Sequence, residues 1–363
     1  MKLKLLKFIV DNPDWELLLQ EEPYFIRISR ADNFIMFKYG IGADFNNEIV
    51  RECRGIILDD KFNTVCVPFF KFGNWNEPYI PQIDWKNCYA FEKIDGSLIK
   101  VWNYNGKWII STNGTIYANN ASVIYGTKSY EQLFLEALAN NGFKQLDDFT
   151  KQLSAENTYM FELVAPENII VVKYPQADVY HLATRNNSTL LELDYVILSI
   201  KRPKRYSLSS VEDVIANAEK LTDYQEGFVV CDNSYNRLKV KSSAYVRVHH
   251  LMSKLSLNNS LEVVLKEETD EVLSVLPHYA EYFNKVKRAL DNVLDDIQFD
   301  WDNIKDICFD TQKDLALHIV DFKHKSYIFT KKKNEKYTPK QHFERLVQRK
   351  QLELIQEYFE ENS

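Results

Sequence analysis

The sequence predicts an α+β protein in which antiparallel sheets with flanking helices are followed by an all-helical C-terminal region. From about residue 25 to 245, β-branched and aromatic runs alternate with turn residues, as in antiparallel strands. After Tyr245 the apolar period changes from two toward 3.6, which indicates helices. We therefore expect two domains, 1–245 and 246–363, and a chain of 363 residues is long enough to form both.

Turn residues and alternating apolar residues place the strands. Residues 1–10 interleave lysines with apolar residues, which predicts an amphipathic first helix rather than a signal peptide. The clearest hairpin pairs residues 97–101 with 108–112 around Asn105-Gly106, which tolerates the positive φ angles of a type I′ turn. Further strands are predicted at residues 56–58, 159–164, 169–172, 179–182, 195–200 and 228–231.

Helix starts are marked by capping residues. Ser129 with Gln132, and Thr338 with Gln341, have the spacing of a capping box ahead of an apolar helical stripe. The stripes after residue 245 are typical of core-facing helices. We find no internal repeat and no low-complexity tail.

The most informative segment is residues 91–97, Phe-Glu-Lys-Ile-Asp-Gly-Ser. It places Lys93 at the end of an apolar strand and ahead of Asp95 and Gly96, as a covalent nucleotidyl-lysine site requires. A lysine attacks phosphorus only when its amine is unprotonated, and its ordinary pKa is about 10.4. We therefore expect neighbouring cations or burial to lower the pKa of Lys93.

Candidate partners for this lysine follow downstream. Glu226 begins an apolar run, and Lys239 and Lys241 lie at strand spacing, so their side chains point to one face. Each segment alone has an ordinary structural explanation. Lys-x-Asp-Gly is commonly a β-turn, and alternating lysines are commonly the solvated face of an edge strand. The order of the segments, with the nucleophile first, then the acidic residue and then the paired lysines, favours a catalytic site over these structural explanations.

At these residues the chain resembles the covalent nucleotidyltransferase superfamily, and within it the RNA ligase 1 class of bacteriophages, associated with tRNA repair. The resemblance covers roughly residues 50–245. Six ordered segments carry it: residues 51–56 (Arg-Glu-Cys-Arg-Gly-Ile), 70–77 (Phe-Lys-Phe-Gly-Asn-Trp-Asn-Glu), 93–97 (Lys-Ile-Asp-Gly-Ser), 161–166 (Phe-Glu-Leu-Val-Ala-Pro), 226–228 (Glu-Gly-Phe) and 239–242 (Lys-Val-Lys-Ser).

The resemblance implies an ATP-dependent RNA ligase that joins 5′-phosphate and 3′-hydroxyl ends through a lysyl-AMP and an adenylylated RNA. ATP is the co-substrate, with Mg²⁺, or Mn²⁺ in its place, as the divalent ion. DNA ligases and capping enzymes typically continue into a β-barrel and carry arginine five residues after the nucleophile. Here the tail predicts helices and the residue is Leu98. The helical domain 246–363 is a possible RNA specificity module.

Site roles follow from the resemblance. Lys93 is the nucleophile, and Arg54 and Lys71 bind the triphosphate. Lys239 and Lys241 contact the α-phosphate. Glu226 is assigned to the divalent ion, and Glu162 to the ribose hydroxyls or a hydrated metal. Asp95 orients the lysine loop or lowers the barrier by hydrogen bonding, and Gly96 permits close approach of the nucleotide. Glu92 and Val230 are assigned to the nucleotide pocket. The sequence does not separate the roles of Glu162 and Glu226. The class often has a basic residue before the glycine of the hairpin, where this chain has Asn113.

Composition narrows the function classes. The net charge of −7 argues against a protein that coats nucleic acid through bulk charge, so contact with RNA has to be local. Two basic runs, 201–205 and 331–333, are solvated loops or phosphate contacts. Five scattered cysteines suggest neither a disulfide framework nor a zinc site. No apolar stretch is long enough for a membrane span. These features favour the cytoplasm, and the host cytoplasm if the chain is of phage origin.

Two alternatives remain open at this point. A related nucleotidyltransferase could act on DNA, a protein side chain or a capped RNA end, and a relative without catalysis could only bind RNA. Expected partners of a ligase are RNA with 5′-phosphate and 3′-hydroxyl ends, including cleaved tRNA, and a separate end-healing kinase-phosphatase.

Overall fold

The computed structural model describes residues 3–123, 127–194, 196–222, 225–253, 256–266, 269–275 and 279–361. The chain divides into two compact units, residues 1–249 and 250–363. The first unit contains antiparallel sheets with helices, and every described element of the second is helical. The predicted α+β class is confirmed.

The strands found among the described residues all lie in the first unit. In chain order they are β1 (Ile26–Ala31), β2 (Phe34–Tyr39), β3 (Arg54–Asp59), β4 (Thr64–Cys66), β5 (Cys88–Glu92), β6 (Ser97–Tyr104), β7 (Lys107–Thr112), β8 (Asn157–Val164), β9 (Asp178–Asn186), β10 (Arg205–Tyr206), β11 (Gly227–Asp232) and β12 (Arg237–Lys241).

The helices are distributed along the whole chain. They are α1 (Lys4–Asp11), α2 (Trp15–Gln20), α3 (Glu48–Glu52), α4 (Tyr130–Asn140), α5 (Leu146–Thr150), α6 (Val211–Ala218), α7 (Ser243–Ser253), α8 (Leu257–Leu265), α9 (Thr269–Val275), α10 (Ala280–Asp302), α11 (Gln312–His318), α12 (Lys325–Lys333), α13 (Pro339–Arg345) and α14 (Gln348–Glu361). A 3₁₀ turn covers Ala118–Asn120.

The strands form three antiparallel sheets of four strands each. Sheet 1 has the order β1-β2-β3-β4, sheet 2 the order β7-β6-β8-β9, and sheet 3 the order β10-β5-β11-β12. Residues 93–96 connect β5 of sheet 3 to β6 of sheet 2. The predicted nucleophile segment is therefore the crossing between two sheets.

Apolar residues pack these sheets in layers. One face of sheet 1 packs against α1, α2 and α3. Its other face contacts sheet 2 through residues that include Phe34, Ile57 and Trp102. The far face of sheet 2 is covered by α4 and α5, and α6 covers one face of sheet 3. The second unit has its own core around α10, with α8, α13 and α14.

Several local predictions are confirmed. In the predicted hairpin Ile99 pairs with Thr112, and Asn105 and Gly106 have φ angles of 51° and 84°. Both predicted capping boxes form, at the start of α4 and of α13. The amphipathic first helix is α1, with Leu5 and Ile9 buried.

Two predicted strands differ from the structure. Residues 169–172 form no strand, and their backbone instead serves the nucleophile loop, as described below. Residues 196–200 are also irregular, and the prediction there began at Tyr195, which lies outside the described residues. All five cysteines are unpaired. Within the described ranges, every helix is too short or too polar to cross a membrane.

Candidate active site

A cavity of about 660 Å³ lies within the first unit. Side chains from all three sheets line it. It collects nine of the predicted site residues: Arg54, Lys71, Glu92, Lys93, Gly96, Glu162, Glu226, Lys239 and Lys241. Asp95 and Val230, which were also predicted, do not line it.

Glu226 contacts two lysines that line this cavity. Its Oε2 accepts a hydrogen bond of 2.6 Å from Lys93 Nζ, and its Oε1 lies 2.9 Å from Lys241 Nζ. Glu226 is 4% exposed, whereas the Lys93 side chain is 22% exposed. The amine that was predicted to attack thus belongs to the more exposed side chain of the pair.

Sheet pairing brings these residues together. Lys93 follows β5, and its backbone N–H donates to Gly227 O at 2.9 Å. In the β11–β12 pair, Gly227 lies opposite Lys241 and Val229 opposite Lys239. Lys239 and Lys241 are two residues apart on β12, so both side chains reach the cavity face. The prediction that they share one face is confirmed.

The pKa of Lys93 is raised in this structure. Burial acts to lower it, but the carboxylates of Glu226, Glu162 and Asp95 outweigh burial. The expectation that neighbouring cations or burial would give Lys93 a lowered pKa is therefore wrong for the net shift, because nearby carboxylates act more strongly than burial. The structure holds Lys93 as an ammonium group.

The lowered pKa belongs to Lys239 instead. Burial is the largest cause, and the cations of Lys71, Lys93, Lys241 and Arg54 add to it, so the pKa falls to about 7. An anionic ligand among these cations would be held by charge-assisted hydrogen bonds.

Asp95 is a positioning residue. Its Oδ2 accepts hydrogen bonds from the backbone of Val171 at 2.8 Å and Val172 at 2.7 Å, and its Oδ1 accepts one of 2.7 Å from the Tyr245 hydroxyl. It is 2% exposed. Both oxygens are thus engaged away from the cavity. Of the two predicted roles, the geometry favours orienting the lysine loop over direct contact with substrate.

Gly96 is required by a neighbouring strand. A Cβ atom at this position would lie 2.4 Å from the carbonyl oxygen of Leu163 in β8, closer than any real contact. The missing side chain thus accommodates protein backbone, and Gly96 also lines the cavity, where the close approach of a nucleotide stays a prediction.

Val230 has the wrong orientation for the predicted pocket contact. Its side chain is fully buried in the core between sheet 3 and α6. Successive strand residues point to opposite faces, so the neighbouring Val229 lines the cavity instead. Glu92 does line the cavity, and its backbone N–H donates to Lys204 O at 2.8 Å.

The cationic groups of Arg54 and Lys71 lie over aromatic rings. The Arg54 guanidinium lies 5.4 Å from the Phe72 ring centre, and its buried Nη1 has no hydrogen-bond partner among the described residues. Lys71 Nζ lies 4.6 Å from the ring centre of Phe45. The pKa of Lys71 is lowered, mainly by burial. Both cations line the cavity and can form further contacts with a ligand.

Glu162 is a carboxylate whose charged form is disfavoured by its surroundings. Burial is the main cause that raises its pKa to about 7, although the cations of Lys93 and Arg54 act against it. No cluster of three metal-ligating side chains occurs among the described residues. The donor set fits a hydrated divalent ion held by phosphate and one or two carboxylates, which is how Mg²⁺ usually binds.

The two basic runs differ in their surroundings. Arg202 and Pro203 line the cavity, so the run 201–205 is more than a solvated loop. The run 331–333 ends α12, where Lys331 Nζ donates to the carbonyl oxygens of Glu335 and Tyr337. Sequence analysis missed Tyr245 and Lys38 as site residues. Lys38 precedes every recognised motif, and nothing in its local sequence marks it.

Comparison with known proteins decides the family. A family model described as RNA ligase matches residues 52–287, more than half of the chain. The chain belongs to the RNA ligase family. This confirms the resemblance inferred from the motifs.

Individual relatives of this RNA ligase family member are viral and bacterial. The chain is 34% identical over 258 residues to a putative bifunctional polynucleotide kinase/RNA ligase of Autographa californica nuclear polyhedrosis virus, covering 65% of this chain but only 36% of that protein. It is 24% identical to an RNA ligase of Rhodothermus phage RM378, covering 84% and 85% of the two chains.

Two solved RNA ligase structures align with this family member. An archaeal ATP-dependent RNA ligase aligns with a TM-score of 0.46 at 13% identity, over 80% of this chain and 83% of that one. A Naegleria gruberi RNA ligase mutant with ATP and Mn aligns with a TM-score of 0.36 at 14% identity, over 45% and 52%. The chain thus spans about half the length of that ligase.

Proposed function

We propose that the protein is an ATP-dependent RNA ligase that joins 5′-phosphate and 3′-hydroxyl ends through a covalent Lys93–AMP. The observation that carries this proposal is the position of Lys93, in a cavity that also holds Arg54, Lys71, Lys239 and Lys241. A nucleophilic amine beside a group of cations matches transfer of a nucleotidyl group, because the substrate and its leaving group are both polyanions.

In the first step Lys93 Nζ attacks the α-phosphorus of ATP. A nitrogen–phosphorus bond forms, the bond to the bridging oxygen breaks, and pyrophosphate leaves. The ammonium proton is lost before attack, by way of Glu226 to solvent, since Glu226 Oε2 is its hydrogen-bond partner. Lys239 and Lys241 hold the α-phosphate, and Arg54 and Lys71 hold the departing pyrophosphate.

The next two steps move AMP onto RNA and release it. A 5′-phosphate oxygen of RNA attacks the phosphorus of Lys93–AMP, which forms a 5′–5′ pyrophosphate linkage and frees the lysine. The 3′-hydroxyl of a second end then attacks the RNA phosphate, loses its proton, and displaces AMP. Lys93 is a nucleophile only in the first of the three steps.

Mg²⁺ is the proposed divalent ion, with Mn²⁺ able to replace it. Glu162 is the better candidate ligand, because both carboxylate oxygens of Glu226 already contact lysines. The ion would neutralise charge on the phosphate oxygens. A role of Glu162 toward the ribose hydroxyls is the other possibility for the same side chain.

The decisive experiment incubates the protein with ATP labelled on the α-phosphate and a divalent ion. We expect one AMP that stays on the protein after denaturation and that Lys93→Ala abolishes. Lys93→Ala should still seal RNA that is already adenylylated. Adduct formation by Lys93→Ala would overturn the assignment. Parallel assays with RNA and DNA ends identify the acceptor.

The two units have proposed roles of their own, residues 1–245 in adenylylation and 246–363 in recognising RNA such as a cleaved tRNA. The predicted site residues and the cavity that collects most of them lie before residue 242, which supports this division.

The baculovirus relative is named for both a kinase and a ligase. This supports a separate end-healing kinase-phosphatase as a partner of the present chain. Five unpaired cysteines support a reducing cytoplasm, in the host if the chain is viral.

A fragment ending near residue 255 tests this division. It should form the AMP adduct and lose its preference for a broken tRNA over a plain single strand. Thermal melts of the fragment serve as the control for folding. An equal fall in adenylylation and in both sealing reactions would reject a recognition role for residues 246–363.

A further inference from the structure

The hairpin turn after β7 contributes an amide where the related class often has a basic side chain. Asn113 and Gly114 occupy this turn, and both line the cavity. The Oδ1 atom of Asn113 is buried and has no hydrogen-bond partner among the described residues. The turn therefore brings no positive charge to this wall of the cavity.

A lysine from another sheet lies against the same turn. Lys38 is on β2, lines the cavity, and places its Nζ 3.2 Å from the position that a Cβ atom on Gly114 would take. Because glycine has no side chain, the ammonium group fits beside the backbone of the turn. Lys38 thus places a positive charge beside this turn, where the side chain of Asn113 carries none.

Lys38 is also paired with a residue that the resemblance assigns to the triphosphate. In the β2–β3 ladder Lys38 lies opposite Arg54, next to a bulge at Phe37. Residues directly opposite in an antiparallel pair share a face, and like charges there are destabilising. The described residues provide no ion pair for either side chain, and Arg54 Nη1 is buried without a partner. An anion bound beside both cations would form a charge-assisted contact with each of them.

The electrostatics of Lys38 agree with this geometry. Burial is the main cause that lowers its pKa, and Arg27 adds to the shift. An anion beside Lys38 would act in the opposite direction and favour the ammonium form.

The layout of the sheets indicates which phosphate this anion is. Lys239 and Lys241 belong to sheet 3, and Lys93 directly follows its strand β5, whereas Lys38 and Arg54 belong to sheet 1. Attack on the α-phosphorus proceeds in line, so the leaving group departs away from the nucleophile. Cations on sheet 1 therefore suit the leaving pyrophosphate.

We propose that Lys38 binds the pyrophosphate end of ATP together with Arg54, and so replaces the basic hairpin residue absent at Asn113. This inference rests on the proposed ligase function. It adds a binding residue that lies outside the matched family region, which begins at residue 52.

The test is Lys38→Met, assayed separately in adenylylation, in its reversal by pyrophosphate, and in sealing of RNA that is already adenylylated. We expect the ATP and pyrophosphate concentrations for half-maximal rate to rise by a similar factor of about 10 to 100, the loss of one charge-assisted contact. Sealing should be unchanged, because pyrophosphate takes no part in it. The matched control is Lys107→Met, an exposed lysine at the start of β7.

Two further variants keep the test independent of folding. Lys38→Arg should retain most of the affinity for ATP and pyrophosphate. Asn113→Lys in the Lys38→Met background should recover it, since it restores a cation from the hairpin side. An unchanged ATP dependence in Lys38→Met, an equal loss in sealing, or no recovery with Asn113→Lys would each overturn the proposal. Absence of any adduct in the wild-type protein would instead reject the ligase function itself.

Discussion

The Nζ atom of Lys93 and the Oε2 atom of Glu226 are joined by a hydrogen bond of 2.6 Å, although 133 residues separate them in the chain. Burial acts to lower the pKa of Lys93, and the negative charge of Glu226 is the largest cause that raises it, with the hydrogen bond as a smaller contribution. The nucleophile is therefore held in the protonated form by a residue that sits beside its reaction centre.

Glu226→Gln should lower the pKa of Lys93, because it removes the nearest opposing charge. The measurement is the rate at which Lys93 reacts with an amine-directed reagent as a function of pH, followed by peptide mass spectrometry. Adenylylation should nevertheless fall, by about 100-fold, if Glu226 also orients Lys93 and Lys241. The control is Glu136→Gln, which removes a carboxylate paired with the exposed Lys128. An unchanged titration of Lys93 would contradict this account of its pKa.

Lys239 should take up a proton when a polyphosphate binds at about pH 8. Its pKa is about 7, so the amine is mostly neutral at that pH, and phosphate oxygens nearby would favour the charged form. Calorimetry of pyrophosphate binding in buffers with different ionisation enthalpies measures the uptake. The uptake should shrink at pH 6, where Lys239 is already charged, and in Lys239→Met. Equal uptake in wild type and Lys239→Met would sink the prediction.

Glu162→Gln should stabilise the protein at alkaline pH. The pKa of Glu162 is raised from 4.5 to about 7, so the folded state binds its proton more tightly than the unfolded state. The resulting stability is present below about pH 4.5 and is lost as the pH rises through 7. The variant should melt about 2–4 °C higher than wild type at pH 8.5, as for roughly 1 kcal/mol, and show little difference at pH 4.5.

The rate of adenylylation by Glu162→Gln should fall at the same time. A lower rate together with a higher stability would show that the Glu162 carboxylate acts in the reaction and not in folding. A variant that is both less stable at pH 8.5 and fully active would contradict both parts of the prediction.

Tyr245→Phe should loosen the nucleophile loop. It removes the hydroxyl that donates to Asp95 Oδ1 and leaves a buried carboxylate with fewer donors, which costs about 1–3 kcal/mol. We expect a lower melting temperature and slower adenylylation at saturating ATP. The control is Tyr117→Phe, which removes a tyrosine–aspartate hydrogen bond that is exposed to solvent. Similar losses in the two variants would show that burial of the bond is unimportant.

The features that sequence predicts well are local ones. The Asn105-Gly106 hairpin and the capping box at Ser129 depend on residues within one turn of each other, so their patterns are sufficient. Nine of the residues that line the cavity were also predictable, because the family motifs name them in order.

The features that sequence does not predict depend on register and on distant partners. Whether Val229 or Val230 faces the cavity changes with a shift of one residue in strand pairing. Asp95 finds its donors at Val171 and Val172, in a segment whose apolar character suggested a strand. Lys38 on sheet 1 approaches Gly114, which follows β7 of sheet 2, because these two sheets pack against each other. None of these three relationships produces a recognisable pattern in the nearby sequence.

The bond between Asp95 and Tyr245 bears on where this chain can be cut or recombined. Every recognised motif ends by Ser242, so alignment alone would place the junction of a chimaeric ligase directly after the paired lysines. Such a junction would take Tyr245 from a foreign parent, and with it the donor that anchors the native nucleophile loop. Exchange of C-terminal units between relatives should therefore keep the beginning of α7 with the parent that supplies Lys93.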